Sequence, residues 1–411
     1  MKRALSLFLC SGLAAQAPVT LASLESLALK NNPSVAQAEA AVRVAEGRAR
    51  QAGLYPNPVM GANGDEIAGG PIIRGGEIGG FFEQRIVTGG KLRLSRQAAE
   101  RETAEAVQHA AREKLRVTNT VRMLFYQALG EQNLIGIRTQ ALDLANEAAW
   151  ITAQLANTGQ ADRTDQLGAG IDVQRAEIAL IQMRNARERT WRQLAAAVNA
   201  PSLNPGPLEG DLETLPVLNI DQALEKIYAE NPDVRAAEVN TTRADLLLRR
   251  AQREPLPDIQ VRGGVRYNRE LLEIGPLGGR RPVGREGFFD IGVEIPVFNR
   301  NQGNIAAARA EAERARLSVV RTRLSLRARL AEVHREYLDA SAATARYKEK
   351  MIPLATQSVD LLTKNYQQMA AAYPQVLVAR RNLLQLREEY VMALVQAWQR
   401  AVEVQGLLVI P

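Results

Sequence analysis

The chain is one unit written twice. Residues 32–58 return as residues 231–257, displaced by 199 positions throughout. Asn32-Pro33 reappears as Asn231-Pro232, Ala38-Glu39 as Ala237-Glu238, Arg50 as Arg249, Ala52 as Ala251, and Pro56 and Pro58 as Pro255 and Pro257. The apolar spacing is copied too. Val35, Ala38, Val42, Ala45, Ala49 and Ala52 step by alternating threes and fours, as do Val234, Ala237, Thr241, Ala244, Leu248 and Ala251. That spacing is the seam of a coiled-coil-like helix, and each copy stops at Pro-x-Pro.

Beyond the prolines each copy turns strand-like. In copy two, Ile259, Val261, Val265 and Tyr267 share one alternating face, and Phe289, Ile291, Val293 and Ile295 alternate with Asp290, Gly292 and Glu294. Alternation over about ten residues is the signature of a membrane β-strand. Strands are expected at about 257–268 and 287–297, with the Gly/Arg/Pro-rich stretch 270–286 as an extracellular loop. Copy one carries weaker versions at about 57–64 and 77–88 around a loop at 64–76, where irregular loop is the competing reading.

A very long helix follows in each copy. The first runs from Lys91 to about Ala156, roughly 65 residues and on the order of 100 Å. The second runs from about Gly303 to Gln367, with a seam at Leu326, Leu330, Val333, Tyr337 and Ala340 and an expected kink at Pro353. Polar turns at 157–164 and 368–374 lead into returning helices at about 165–198 and 375–404. The helical hairpins therefore span 91–198 and 303–404, and the structural repeats 18–200 and 217–411, joined by a Pro/Gly-rich linker at 201–216. A returning helix of about 34 residues stacked on a first helix of about 22 roughly matches the long helix in length.

The N-terminus reads as a secretory signal over residues 1–15: Lys2 and Arg3, the apolar stretch Ala4 to Leu9, then small residues. Cleavage is expected after Ala14 or Ala15, and a short buried helix is the competing reading. Cys10 falls inside the signal, and Leu9 before it argues against a lipid anchor. No later stretch reaches the roughly 18 apolar residues of a membrane helix. The net charge of +7 is interleaved with Glu along helix faces and forms no basic run, so nucleic acid is not an expected partner.

Four strands cannot close a barrel in a membrane, where the smallest bacterial barrels have about eight. An open four-stranded sheet in lipid would leave unsatisfied edges. Three chains would supply twelve strands and twelve helical rods. The expected fold is mainly α with a small β part, a duplicated helix–strand–strand–long helical hairpin unit; three such chains could close a twelve-stranded barrel with a tube of twelve helices below it.

The run Ile295-Pro296-Val297-Phe298-Asn299-Arg300-Asn301-Gln302-Gly303-Asn304-Ile305, followed by Ala306-Ala307-Ala308, and its counterpart Thr88-Gly89-Gly90-Lys91 mark the strand-to-helix junctions. With them the chain, over nearly its whole mature length, resembles the TolC family of outer-membrane efflux channels, in its heavy-metal (cobalt–zinc–cadmium and copper–silver) branch. The resemblance implies a homotrimer forming a trimeric 12-stranded outer-membrane β-barrel continued by a 12-helix periplasmic α-barrel, which docks onto a periplasmic adaptor (membrane fusion protein) and an RND-type inner-membrane pump, with outer-membrane lipid around it and no cofactor.

The two turns align at an offset of 210, Gly159 to Leu167 with Met369 to Leu377. In the family these tips form the gate and the adaptor contact. The implied docking residues are Asn157, Thr158, Gly159 and Gln160, with Met369, Ala370 and Ala371 on the second tip. The family's gate pairs a copy-two arginine with a Thr-Asp pair and a tyrosine. Thr164, Asp165 and Tyr366 match, but Ala371 stands at the arginine position, and Gln375 and Val378 replace an aspartate pair. Asp162 and Asp165 are then the acidic residues left for a selectivity ring, with Arg163 as a substitute latch. An N-cap role for Asp165 is equally compatible with the sequence.

His109 and His334 are far apart in sequence, with no Cys/His/Asp cluster at ligand spacing, and no metal site is expected. Gly90-Lys91 imitates a phosphate loop, but Arg85 stands where the first glycine should be. No nucleophile–base arrangement recommends an enzyme. Two other readings remain open: a TolC-type channel for drugs or secreted protein, and a periplasmic coiled-coil scaffold without a pore.

Overall fold

A computed structural model describes residues 19–65, 76–275 and 278–409. The signal segment, with Cys10 and its cleavage point, and most of the copy-one loop lie outside the described residues. The elements run in the order β1 (Val19–Thr20), α1 (Leu21–Asn31), α2 (Pro33–Ala52), β2 (Val59–Asp65), β3 (Glu77–Ile86), α3 (Lys91–Asn157), α4 (Arg163–Ala197), β4 (Leu208–Glu209), α5 (Ile220–Glu230), α6 (Pro232–Arg253), β5 (Ile259–Ile274), β6 (Gly279–Val293), α7 (Gln302–Arg346), a π-helical turn (Tyr347–Met351), α8 (Ile352–Gln367) and α9 (Tyr373–Gln405). They fall into two compact units. One holds the chain up to Gln37, Ala111–Asn231 and everything from Leu324 onward; the other holds Ala38–Ala110 and Pro232–Arg323.

The first unit is helical, and in it the duplication reaches further than the sequence echo. Helices α1 and α5 are also equivalents at 199 positions, capped by Thr20 and Asn219 and closed by Asn32 and Asn231. Each closing asparagine donates its backbone N–H one turn back, to Ala28 O and Ile227 O, both at 2.9 Å. Each side-chain amide then reaches the end of a returning helix: Asn32 Nδ2 to Ala197 O and Asn231 Nδ2 to Leu407 O, both at 2.8 Å. The carbonyls at a helix C-terminus lack intrahelical partners, so these two amides supply what the helix cannot.

Two apolar clusters form around these joints. Leu24, Ala28, Val121, Phe125, Trp191, Leu194 and Val198 pack in one, and Ile227, Leu330, Val333, Val404, Leu407 and Leu408 in the other. Full burial of each such large side chain contributes about 1.5–3 kcal/mol. The linker is part of this core. Leu208 and Leu212 are buried, β4 pairs with β1, and the indoles of Trp191 and Trp398 donate to Leu203 O and Leu212 O at 2.8 and 3.0 Å. At Pro353, where a kink was expected, the helix takes the π-helical turn just before the proline, which absorbs the missing N–H without ending the helix.

The second unit holds a four-stranded antiparallel sheet in the order β2-β3-β5-β6. Strands β5 and β6 extend well past the expected ends. Residues 270–286, read from their Gly/Arg/Pro content as a loop, are paired over Leu271–Ile274 and Gly279–Pro282, past a bulge between Asn268 and Leu271. Hairpin pairing overrides composition here, and Pro282 is tolerated because β6 is an edge strand. Conversely, Glu294–Val297 lies beyond β6, outside the sheet. Under the sheet, α6 and α7 meet through Ala244, Ala312 and Ala315, and Arg316–Asp245 and Arg323–Glu238 pairs at 2.8 and 2.7 Å flank the contact.

Asn231 is fully buried whereas Asn32 is only half-buried, so the two amides differ in cost of removal. Asn231→Ala strands the Leu407 carbonyl and is expected to destabilise by about 1–3 kcal/mol, Asn32→Ala by less. Thermal unfolding of the detergent-solubilised variants measures this, and equal midpoints for Asn231→Ala and wild type would refute it.

Candidate functional site: the sheet faces and the hairpin tips

The pairing register sorts the sheet into two chemistries. Met60, Phe82, Val265, Tyr267, Phe289, Ile291 and Val293 fall on one face and are exposed, Val265 at 70% and Phe289 at 67%. Exposure of that extent on consecutive strands is costly in water and favourable in lipid. The other face is charged. Arg266 pairs with both Glu77 and Glu286, the latter at 3.1 Å, and Asn268 Nδ2 donates to Glu77 at 2.8 Å.

On that charged face Arg262 lies over the Phe81 ring, 4.1 Å from its centroid and 5.9 Å from that of Phe288. The two rings lie flat because glycines sit beneath them. A Cβ at Gly61 would come within 2.7 Å of Phe81, and one at Gly264 within 2.8 Å of Phe288 and 2.2 Å of the Gly80 carbonyl.

The copy-one strand-to-helix junction is locked by one carboxylate. Asp258 accepts from Lys91 Nζ at 2.9 Å, Arg85 Nη2 at 2.7 Å and the Thr88 N–H at 3.1 Å. Burial pushes the Asp258 carboxyl up, but Lys91, Thr88 and Arg85 outweigh it and hold it below the usual carboxylate range. Lys91, the residue that imitates a phosphate loop, is committed to this joint and to Leu256 O at 2.7 Å. In the copy-two junction Asn301 has a φ of 60°, and its carbonyl accepts from Ile305 N at 2.9 Å to open α7.

The helical hairpins end in two tips with one geometry. Gln160 N donates to Leu155 O at 2.8 Å, and Ala370 N, 210 positions on, to Asn365 O at 2.7 Å. Gly159 and Met369 occupy the left-handed region at φ 75° and 60°. Glycine takes that conformation freely, whereas methionine is strained in it, and Met369 is 96% exposed besides. Asn157, Thr158, Gln160 and Ala370 are exposed as well, and Ala371 is half-buried.

Asp162, not Asp165, is the N-cap of α4. Its Oδ1 accepts from Asp165 N at 2.8 Å, while Asp165 Oδ2 accepts from Asp162 N at 3.0 Å, completing a capping box. Both carboxylates remain exposed, as does Thr164. Arg163 reaches only Gln166, at 3.0 Å. Tyr366 packs on Tyr373 with ring centroids 5.7 Å apart, and Gln375 and Val378 are exposed. Burial, and after it the Glu147 charge, push the Tyr373 phenol up against the opposing pull of Arg380.

Among the described residues of one chain no hydrogen bond or ion pair joins Tyr366 to Thr164, Asp165 or Arg163. The two hairpins are instead joined further from the tips by ion pairs the sequence did not reveal. Arg381–Asp172 and Arg380–Glu147 close at 2.7 and 3.2 Å, and Arg138–Glu388 at 2.7 Å. Among the described residues no group of three His, Cys, Asp or Glu could hold a metal, and none of the helices is long and apolar enough to cross a membrane. His109 lies 3.9 Å from Glu105 on an exposed helix face.

Comparison with known proteins gives one family. Residues 24–200 and 223–408 each match the family described as outer membrane efflux protein. The cobalt-zinc-cadmium resistance protein CzcC of Cupriavidus metallidurans is 25% identical over 400 residues, covering 96% of this chain and 91% of its own. Protein CyaE of Bordetella pertussis is 23% identical, covering 93% and 82%. Among solved structures, the outer membrane protein VceC of Vibrio cholerae superposes with a TM-score of 0.75 at 19% identity, covering 94% of this chain and 96% of that one. CusC does so with a TM-score of 0.75 at 16% identity, covering 94% and 91%. The last two likenesses show the fold, and the two family matches, which fall one on each half of the duplication, show that this chain belongs to the outer membrane efflux proteins, channels of the Gram-negative outer membrane with a periplasmic extension.

Proposed function

We propose that three copies of the chain close one twelve-stranded barrel, β6 of each pairing with β2 of the next, and that the helical hairpins of the trimer form a twelve-helix periplasmic tunnel. The observation that carries this reading is the sheet order β2-β3-β5-β6, which leaves β2 and β6 as open edges beside an exposed apolar face. Unpaired backbone groups cost several kcal/mol each in hydrocarbon, and closure by further copies satisfies them.

In this reading the trimer is a passive conduit. It carries substrate from an inner-membrane RND-type pump and a periplasmic adaptor to the exterior. Heavy-metal cations are the substrate class favoured, on the similarity to a cobalt-zinc-cadmium resistance protein along 96% of the chain. Asn157 to Gln160 and Met369 to Ala371 are the adaptor-docking tips, and exposed Asp162 and Asp165 line the periplasmic opening, where three chains place up to six carboxylates. Selection among metals then belongs to the pump.

The mass of the detergent-extracted protein, corrected for bound detergent, is expected to be that of three chains; a monomer soluble without detergent would sink the channel. A deletion strain is expected to become sensitive to cobalt, zinc and cadmium rather than to drugs. Wild type should restore resistance, and Gly159→Trp, which forces a side chain into the left-handed turn, should not. Restoration by Gly159→Trp would place docking elsewhere. Asp165→Asn keeps an acceptor for the capping box but removes the charge, so reversal potentials in planar bilayers should move toward lower cation selectivity. No shift in that variant would remove Asp165 from the selectivity ring.

A further inference from the structure

The outer end of the β5–β6 hairpin carries exposed arginines beyond the apolar band. Tyr267 pairs with Arg285, two positions beyond the pair of Val265 with Gly287 and four beyond Gly263 with Phe289. Arg285 therefore shares its face with exposed Phe289 and Ile291. The bulge after Asn268 adds a residue to β5, and beyond it Leu272 pairs with Arg281. Arg281 stands four residues from Arg285 along β6, past Gly284 with its φ of 88°, and is exposed.

Arg281 and Arg285 are both exposed, and among the described residues neither has an acidic partner. The nearby acid Glu286 points to the opposite face, where Arg266 holds it at 3.1 Å. Two unpaired guanidinium groups directly above an apolar band are unfavourable in hydrocarbon and need a polar anionic layer at that height. Tyr267, 45% exposed in the same row as Arg285, marks that height as the interface, where tyrosine is favoured.

We propose that Tyr267, Leu272, Arg281 and Arg285 form a docking surface for the phosphorylated diglucosamine headgroup of the outer-leaflet glycolipid. The arginines supply planar, paired donors that fit phosphate oxygens, and Leu272 and Tyr267 cover the adjoining acyl chain. Four residues of strand separate the arginines by about 13 Å, a spacing suited to phosphates at opposite ends of a disaccharide. The surface holds the hairpin in the outer leaflet at a fixed height. The inference rests on the reading of the sheet as the membrane span with this hairpin turned outward.

The test uses the full-length protein purified in nonionic detergent. It is titrated in turn with bis-phosphorylated lipid A, monophosphoryl lipid A and phosphatidylglycerol, and bound lipid is counted by native mass spectrometry. Wild type is expected to bind bis-phosphorylated lipid A most tightly. R281Q/R285Q should weaken that binding roughly tenfold or more, while R281K/R285K and the control R309Q retain most of it. Where the double variant does not assemble, R281Q and R285Q singly give the same reading. Undiminished binding by the glutamine variants, absence of binding by wild type, or equal binding of phosphatidylglycerol would each overturn the proposal. Conductance in planar bilayers is read in parallel: a wild type that conducts but does not bind lipid A removes this surface and leaves the channel. A wild type that binds but does not conduct removes the channel reading instead.

Discussion

The constraint on which the rest depends is the backbone of an open sheet edge. A four-stranded antiparallel sheet with an apolar face has a natural place in lipid, but its outer strands then carry N–H and C=O groups with no water to satisfy them. Glycines let the sheet pack tightly, with the Phe81 and Phe288 rings flat against it, but they do nothing for the edges. Only further strands do. In the proposed barrel the charged face and the apolar face of one chain are parts of an inside and an outside that one chain cannot enclose.

Within the helical unit, the same economy of backbone groups shapes the helices. Asn32 and Asn231 each close a short helix with their main chain and cap the end of a returning helix with their side chain. The duplication is thus a repeated solution to one problem, how to satisfy the backbone groups where a short helix meets the end of a returning one. The copies diverge where their work differs. Copy two carries the longer strands, and its Asp258 reaches across to Lys91, Arg85 and Thr88 of copy one. The halves are locked to each other at the strand–helix junction by a single carboxylate.

The tips show how a conserved geometry can carry different side chains: the left-handed residue is Gly159 in one and Met369 in the other. With Ala371 in place of an arginine, cross-hairpin electrostatics fall to Arg381–Asp172, Arg380–Glu147 and Arg138–Glu388, further along the helices. Arg381–Asp172 and Arg380–Glu147, the two solvent-facing pairs, are each worth only about 0–1 kcal/mol, so they hold the hairpins together without fixing them. Asp162 and Asp165 are engaged with each other's backbone, yet both stay exposed, so capping the helix and presenting charge are compatible there.

The sequence by itself determined the duplication, the long helices, the alternating strands and the position of the tips, because each is a local periodicity or a proline or glycine at a turn. The equivalence of α1 and α5 escaped the echo search because their side chains differ while their caps and joints agree. The strand pairing of 271–274 with 279–282, the folded linker and the π-helical turn before Pro353 were decided only by tertiary structure. So were the exchange of roles between Asp162 and Asp165 and the ion pairs between hairpins. Each depends on a partner supplied from elsewhere in the fold or on backbone geometry, and residue spacing along the chain records neither.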